Sequence, residues 1–174
     1  MNYNIMLIGF MGTGKTTISR ELSKSMNIRE VDMDSYIVKR EGMSINDIFD
    51  NKGEEYFRNL ETECLKEIQK EKGKIVSCGG GTVLKDENVK CMKEGGVIVL
   101  LTATPETVYN RVKNGKERPI LNGHMNVGYI SELMEKRKQR YLDVADIKIV
   151  TDGKTPVYIC NEIVQSLDKL VKNS

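Results

Sequence analysis

Three glycines, a lysine and a threonine hydroxyl fall within Gly9-Phe10-Met11-Gly12-Thr13-Gly14-Lys15-Thr16, the spacing of a phosphate-binding loop, or P-loop. Gly9, Gly12 and Gly14 let main-chain N–H groups approach phosphate oxygens with no Cβ between them. Lys15 carries its charge toward the β and γ phosphates of a nucleotide, and Thr16 presents a hydroxyl to Mg²⁺. Asp32 and Asp34, set beside Val31 and Met33 in a period-two pattern, would point the same way from the end of a strand. There they would divide the work. One carboxylate orders Mg²⁺ and its waters, and the other accepts a hydrogen bond from an attacking hydroxyl. A plainer reading makes Asp34 the cap of a helix beginning near Ser35.

Further along, Arg58 and Glu61 are adjacent on a helix surface, which by itself is an ion pair worth a few tenths of a kcal/mol. Phe49 and Phe57, two of only three phenylalanines, lie close in sequence, and an arginine beside exposed aromatics suits a carboxylate pocket. Gly79-Gly80-Gly81 give up backbone order, as serves the close approach of a ligand, a hinge or a plain loop. Lys116-Glu117-Arg118-Pro119 concentrate charge in a stretch with little periodicity, from Asn114 to Gly128. Such a stretch is a functional lid or a solvated loop, and an arginine in a lid would neutralise a transferring group while water is excluded. Arg137 shares a stripe with Ile130, Leu133 and Tyr141, so it needs a ligand anion, an internal acid or a route to solvent.

The elements that must position these residues read as alternating strands and helices. Ile5 to Ile8 is a short apolar run suited to a buried parallel strand, and Ile18, Leu22 and Met26 give the helix after the loop one apolar face. A second strand or its end covers Val31 to Asp34. Ser44 to Asp47 is a capping-box variant opening a short helix through Phe49; Gly53 breaks it. A helix from Glu54 to Lys72 follows, with Tyr56, Phe57, Leu60, Cys64, Leu65 and Ile68 on its apolar face. Lys74 to Cys78, Val97 to Leu101 and Ile147 to Thr151 are further strands, with a helix from Asp86 to Glu94 between the first two. Thr104-Pro105-Glu106 opens a helix that ends near Asn114-Gly115, and Thr155-Pro156 opens a last one with Cys160, Ile163, Val164, Leu167 and Leu170 inward.

With 174 residues, the chain suits one domain with a full core. Lys plus Arg number 27 against 25 Asp plus Glu, a net charge of +2 that implies no nucleic-acid partner. No apolar run reaches the ~18 residues of a membrane span, and the N-terminus has no signal-type pattern, so a cytoplasmic location and no membrane partner are expected. Cys64, Cys78, Cys91 and Cys160 form no C-x-x-C pair and His124 is the one histidine, which points to reduced thiols rather than disulfides or zinc.

Taken together, the phosphate loop, Asp32-Met33-Asp34, Gly53-Glu54-Glu55-Tyr56-Phe57-Arg58 with Glu61, the triple glycine, Arg118-Pro119 and Arg137-x-x-x-Tyr141 resemble the shikimate kinase family over nearly the whole chain. The resemblance implies a P-loop α/β fold of three layers, α/β/α, around a five-stranded parallel sheet of order 2-3-1-4-5. It also implies a helical substrate-binding segment at about 33–61 and a mobile lid at about 114–127. The implied reaction moves the ATP γ-phosphoryl to the 3-hydroxyl of shikimate, in the pathway to chorismate and the aromatic amino acids. By the same resemblance, ATP falls to Gly12, Thr13, Gly14, Lys15, Thr16, Thr17, Arg111, Arg118 and Pro156, with Arg111 and Pro156 sandwiching adenine. Shikimate falls to Asp34, Arg58, Glu61, Gly79, Gly80, Gly81 and Arg137, the two arginines taking its carboxylate and Glu61 holding Arg58. Lys15, Asp34 and Arg118 are the implied catalytic set, and Thr16 with Asp32, through water, would hold Mg²⁺. The enzyme is expected to act as a monomer. Cys78 and His124 receive no role. Two other readings stand beside this one: a P-loop kinase for gluconate or a nucleotide, and a nucleotide-binding regulator that turns nothing over. Two arginines suit a carboxylate, whereas a planar base would call for more aromatic stacking.

Overall fold

The computed structural model describes residues 1–113 and 126–172. Five strands, β1 (Asn4–Ile8), β2 (Glu30–Asp32), β3 (Ile75–Ser77), β4 (Gly96–Thr102) and β5 (Ile147–Val150), form one sheet of order β2-β3-β1-β4-β5. Every pairing is parallel. The implied fold and strand order are therefore both present. Helices are α1 (Lys15–Met26), α2 (Met33–Glu41), α3 (Ile45–Gln69), α4 (Asp86–Gly95), α5 (Pro105–Val112), α6 (Val127–Val144) and α7 (Pro156–Lys172).

Alternating side chains of the central strands feed two cores. Ile5, Leu7, Val99 and Leu101 pack against α1 and α7 through Ile18, Leu22, Ile159 and Ile163. Met6, Ile8, Ile98 and Leu100 face the other way, against Leu65, Met92, Ile130 and Tyr141 of α3, α4 and α6. Burial on both faces is what the unbroken apolar runs of β1 and β4 require. A third cluster, Ile37, Ile48, Phe57, Leu60 and Cys64, joins α2 to α3. Because β1 has β3 on one side and β4 on the other, the chain leaves it in both directions, and the carboxyl end of β1 is the crevice where open α/β sheets take ligands.

Several boundaries differ from the sequence reading. The second strand stops at Asp32, and Met33 and Asp34 are the first turn of α2. Asp32 is the cap, accepting Ser35 N–H at 2.9 Å, and this satisfied donor starts the helix two residues earlier than the alternation predicts. α3 is two helices meeting at Gly53, whose φ of 82° and ψ of 168° are not helical, and it ends at Gln69 rather than Lys72. Tyr56 stands outside the apolar face, 39% exposed, with its hydroxyl donating to Glu41. α5 ends at Val112. The Ser44 and Thr104 caps form as read, each accepting a backbone N–H three residues on. The four cysteines are free, and among the described residues no helix is long and apolar enough to cross a membrane.

Candidate active site

The turn from β1 into α1 has the backbone that its glycines permit, with φ of 147° at Gly9, 74° at Gly12 and 98° at Gly14. A Cβ on Gly9 would collide with Leu101 O, and one on Gly12 would lie 2.8 Å from Val112 Cγ1, so neither position has room for a side chain. Lys15, Thr16 and Thr17 follow as the first turn of α1, at the positive end of its dipole. The Lys15 ammonium donates to Gly9 O at 2.8 Å and Phe10 O at 3.1 Å. Thr13 turns its side chain inward: it is 1% exposed and its hydroxyl donates to Phe10 O at 2.7 Å, stiffening the loop. From α5, Arg111 donates to Gly12 O at 3.0 Å and to Thr151 Oγ1 at 3.3 Å, which ties that helix to the loop.

Beside the loop, Thr16 Oγ1 donates to Asp32 Oδ2 at 2.9 Å while the other oxygen of Asp32 caps α2. Asp34, in the first turn of α2, lines the same cleft as Lys15 and Asp32 and approaches Gly79: a Cβ built there would sit 3.4 Å from Asp34 Oδ1.

The opposite wall comes from the second half of α3, the glycine strip after β3, and α6. Arg58 Nη1 donates to Glu61 Oε2 at 2.6 Å, and Thr82 Oγ1 donates to Glu61 Oε1 at 3.2 Å. Burial pushes the Glu61 carboxyl above its ordinary value; the Arg58 guanidinium and these hydrogen bonds pull partly against the rise, and the Asp34 charge adds to it. The Phe49 and Phe57 rings pack with centroids 4.9 Å apart, and Arg58 lies 5.3 Å over Phe57. Phe57 is buried, so the aromatics are the floor under the arginine rather than an exposed pair. None of Gly79, Gly80 and Gly81 has a positive φ; they are small because of their neighbours. A Cβ on Gly79 would lie 2.5 Å from Glu61 Oε1, and one on Gly81 would collide with the Arg58 guanidinium. Gly80 differs, its nearest neighbour to such a Cβ being Gly9 O at 3.6 Å. Arg137 of α6 is half-buried and lies 5.9 Å over the Phe10 ring.

One cleft of about 1240 Å³ thus gathers Gly12, Gly14, Lys15, Thr16, Thr17, Asp32, Asp34, Arg58, Glu61, Gly79, Gly80, Gly81, Arg111 and Arg137. Pro156 opens α7 at an exposed position and does not line this cleft. Arg118 and most of the expected lid lie outside the described residues, as does His124. Cys78 is buried behind the strip, its thiol driven far up by burial and so kept protonated. Three contacts were not read from sequence: Phe10 under Arg137, Thr82 holding Glu61, and the bond from the Tyr141 hydroxyl to Gly80 O at 2.5 Å. Only Tyr141 left a signal, its i, i+4 spacing from Arg137.

The sequence and the fold are both matched elsewhere. The family model described as shikimate kinase covers residues 11–168. The chain belongs to the shikimate kinase family. A shikimate kinase from Persephonella marina is 46% identical over 161 residues, which is 92% of this chain and 96% of that protein. Among solved structures, a shikimate kinase from Acinetobacter baumannii in complex with shikimate is similar at a TM-score of 0.92 and 30% identity, covering 99% of this chain and 94% of that one. The shikimate kinase of Aquifex aeolicus gives 0.84 at 40% identity, with 97% and 98% covered. Shikimate kinase membership makes this chain an ATP-using kinase, a transferase of the shikimate and aromatic amino acid pathway, and sets aside the non-catalytic regulator and the gluconate and nucleotide kinases.

Proposed function

We propose that the cleft moves the γ-phosphoryl of ATP to the 3-hydroxyl of shikimate, giving shikimate 3-phosphate and ADP. One observation carries this reading: the phosphate loop, Asp34 and two arginines, Arg58 and Arg137, face the same cleft. A carboxylate takes a guanidinium bidentately, so the arginines set the ring of an acidic acceptor. Asp34 and the Gly80 main chain then take its hydroxyls. Asp34 accepts the hydrogen bond of the attacking hydroxyl and then its proton, while the new O–P bond forms and the β–γ bridge breaks toward ADP. Lys15 at the loop, and Arg118 assigned from sequence, stabilise the charge on the transferring group. Main-chain N–H groups from Gly14 to Thr17 receive the phosphates, and Arg111, with Pro156 assigned from sequence, flanks the adenine.

Mg²⁺ fits the donors present. Thr16 Oγ1 and Asp32 Oδ2 are hard oxygen donors 2.9 Å apart, the second serving through water, and an ion that keeps phosphate and water oxygens needs few protein groups. When bound, it neutralises phosphate charge at this end of the cleft. We further propose a cytoplasmic monomer with no nucleic-acid or membrane partner, in keeping with its net charge of +2.

The test is ADP release in a coupled assay with ATP and Mg²⁺, with shikimate, with gluconate, and with no acceptor. Turnover that depends on shikimate alone is expected. Release that ignores shikimate, or prefers gluconate, overturns the proposal.

A further inference from the structure

Arg58 and Arg137 are held by different means. Arg58 has a buried carboxylate, Glu61, within 2.6 Å, whereas among the described residues Arg137 makes no ion pair. Two neutral groups lie beside it: the Phe10 ring at 5.9 Å and the phenol of Tyr141, close enough for the guanidinium to pull the phenol's pKa down. Tyr141 lies one helical turn further along α6, so both side chains leave the same face. A phenol has one proton and two acceptor sites. The proton goes to Gly80 O at 2.5 Å, which leaves the oxygen's lone pairs to face the neighbouring Arg137. The ring below is 5% exposed, anchored in the core with Phe10, Val83 and Ile130. Little freedom remains in that oxygen.

The bond to Gly80 matters for a second reason. Thr82 N–H donates to Gly79 O at 3.1 Å and Leu84 N–H to Gly81 O at 3.0 Å, so with Tyr141 on Gly80 O every carbonyl of the strip is engaged. In a trans peptide the N–H points opposite to the C=O. Holding the Gly80 carbonyl against Tyr141 therefore turns the Gly81 N–H away from α6. A Cβ placed on Gly80 would sit 3.7 Å from the Tyr141 hydroxyl, 3.6 Å from Gly9 O and 3.8 Å from Met11 N, so strip, phenol and phosphate loop meet at one point.

We propose that Tyr141 is a positioning residue for the acceptor: its hydroxyl aims Arg137 and fixes the Gly80–Gly81 peptide together, while leaving the full positive charge of Arg137 for the ligand's anion. A carboxylate in the same place would hold the arginine but cancel that charge. Burial, opposed in part by the two arginines, raises the phenol's pKa, so it stays a donor throughout the working range. This inference rests on the acceptor being a carboxylate, as under the proposed function.

The test is Tyr141→Phe, which keeps the ring and removes one oxygen. The KM for shikimate should rise roughly tenfold, the loss of one hydrogen bond to a charged group. The KM for ATP should hold within about twofold, and saturating shikimate should bring kcat to within about threefold of the unaltered enzyme. In an Arg137→Ala background the same change should cost less than threefold, since there is no guanidinium left to aim. Tyr141→Met, which refills the ring's space, serves as a second variant and should show the same split. If both variants keep the unaltered shikimate KM, or if both KM values rise together, the inference is wrong. No shikimate-dependent turnover in the unaltered enzyme would instead sink the proposed function.

Discussion

Arg58 Nη1 sits 2.6 Å from Glu61 Oε2, and Glu61, 1% exposed, accepts a second bond from Thr82. A carboxylate that far from water is costly unless its partners are complete. Here they also aim a guanidinium into the cleft. Glu61→Gln keeps the shape and the Thr82 contact but weakens the hold on Arg58, so the shikimate KM should rise roughly tenfold. Steady-state kinetics at fixed ATP check it. An unchanged shikimate KM would make Glu61 a structural residue only.

The same carboxyl gives a pH dependence of known sign. Burial raises its pKa above the ordinary 4.5, with Arg58 only partly offsetting the rise. Between the two values the folded state binds more protons than the unfolded chain, so this group's stabilising contribution is whole below the unfolded value and is lost as pH climbs through the folded one. Glu61→Gln has no proton to lose. The stability of the unaltered enzyme minus that of the variant should therefore decline as pH rises from 4.5 toward neutrality, read from urea midpoints. A difference that grows with pH would reverse the argument.

Two glycines separate packing from function. A Cβ on Gly96 would run into the Asn4 main chain, where β1 and β4 pair, and backbone there cannot retreat. Gly96→Ala should lose about 1–3 kcal/mol of stability with both KM values kept. At Gly81 the obstacle is the end of the Arg58 side chain, and its φ of −94° suits alanine. Gly81→Ala should raise the shikimate KM at least as much as Glu61→Gln does, and any stability it loses comes from parting Arg58 from buried Glu61 rather than from strand packing.

The phosphate loop, both arginines and all five strands were legible because each is local: a spacing, an apolar run or an i, i+3 pair. Met33 and Asp34 were misplaced because Val31-Asp32-Met33-Asp34 fits a strand and a capped helix equally, and four residues of alternation cannot choose between them. Tyr56 failed for another reason: it stands in the first turn after Gly53, where its hydroxyl reaches Glu41 of α2 instead of the core. What the sequence could not give was distance across the chain. Thr82 lies 21 residues from Glu61, and the hydroxyl of Tyr141 reaches a carbonyl 61 residues away. The small size of Gly81 has its reason in Arg58, on another element.

Arg118 lies outside the described residues, and its role comes from the Arg118-Pro119 motif alone. If it meets charge on the transferring phosphoryl, Arg118→Ala should lower kcat by roughly 10²-fold while shikimate binding persists. Calorimetric titration with shikimate, beside turnover, separates the two. Full turnover in this variant would remove Arg118 from the catalytic set.

Asp32 holds two tasks in one carboxylate, and they can be pulled apart. Its Oδ1 accepts Ser35 N–H at 2.9 Å to cap α2, and its Oδ2 accepts the Thr16 hydroxyl at 2.9 Å where the metal would bind. Asparagine caps a helix about as well as aspartate but brings no charge. Asp32→Asn should therefore unfold at nearly the same urea concentration as the unaltered enzyme, yet need severalfold more Mg²⁺ for half-maximal turnover. Asp32→Ala loses the cap as well, so it should show the same rise in Mg²⁺ requirement plus a loss of about 1 kcal/mol in stability. Titrating turnover with Mg²⁺ at saturating ATP, alongside urea unfolding of both variants, reads the two tasks separately. If Asp32→Asn keeps the unaltered Mg²⁺ dependence, the carboxylate is a cap and nothing more, and Thr16 alone remains as the protein's ligand to the ion.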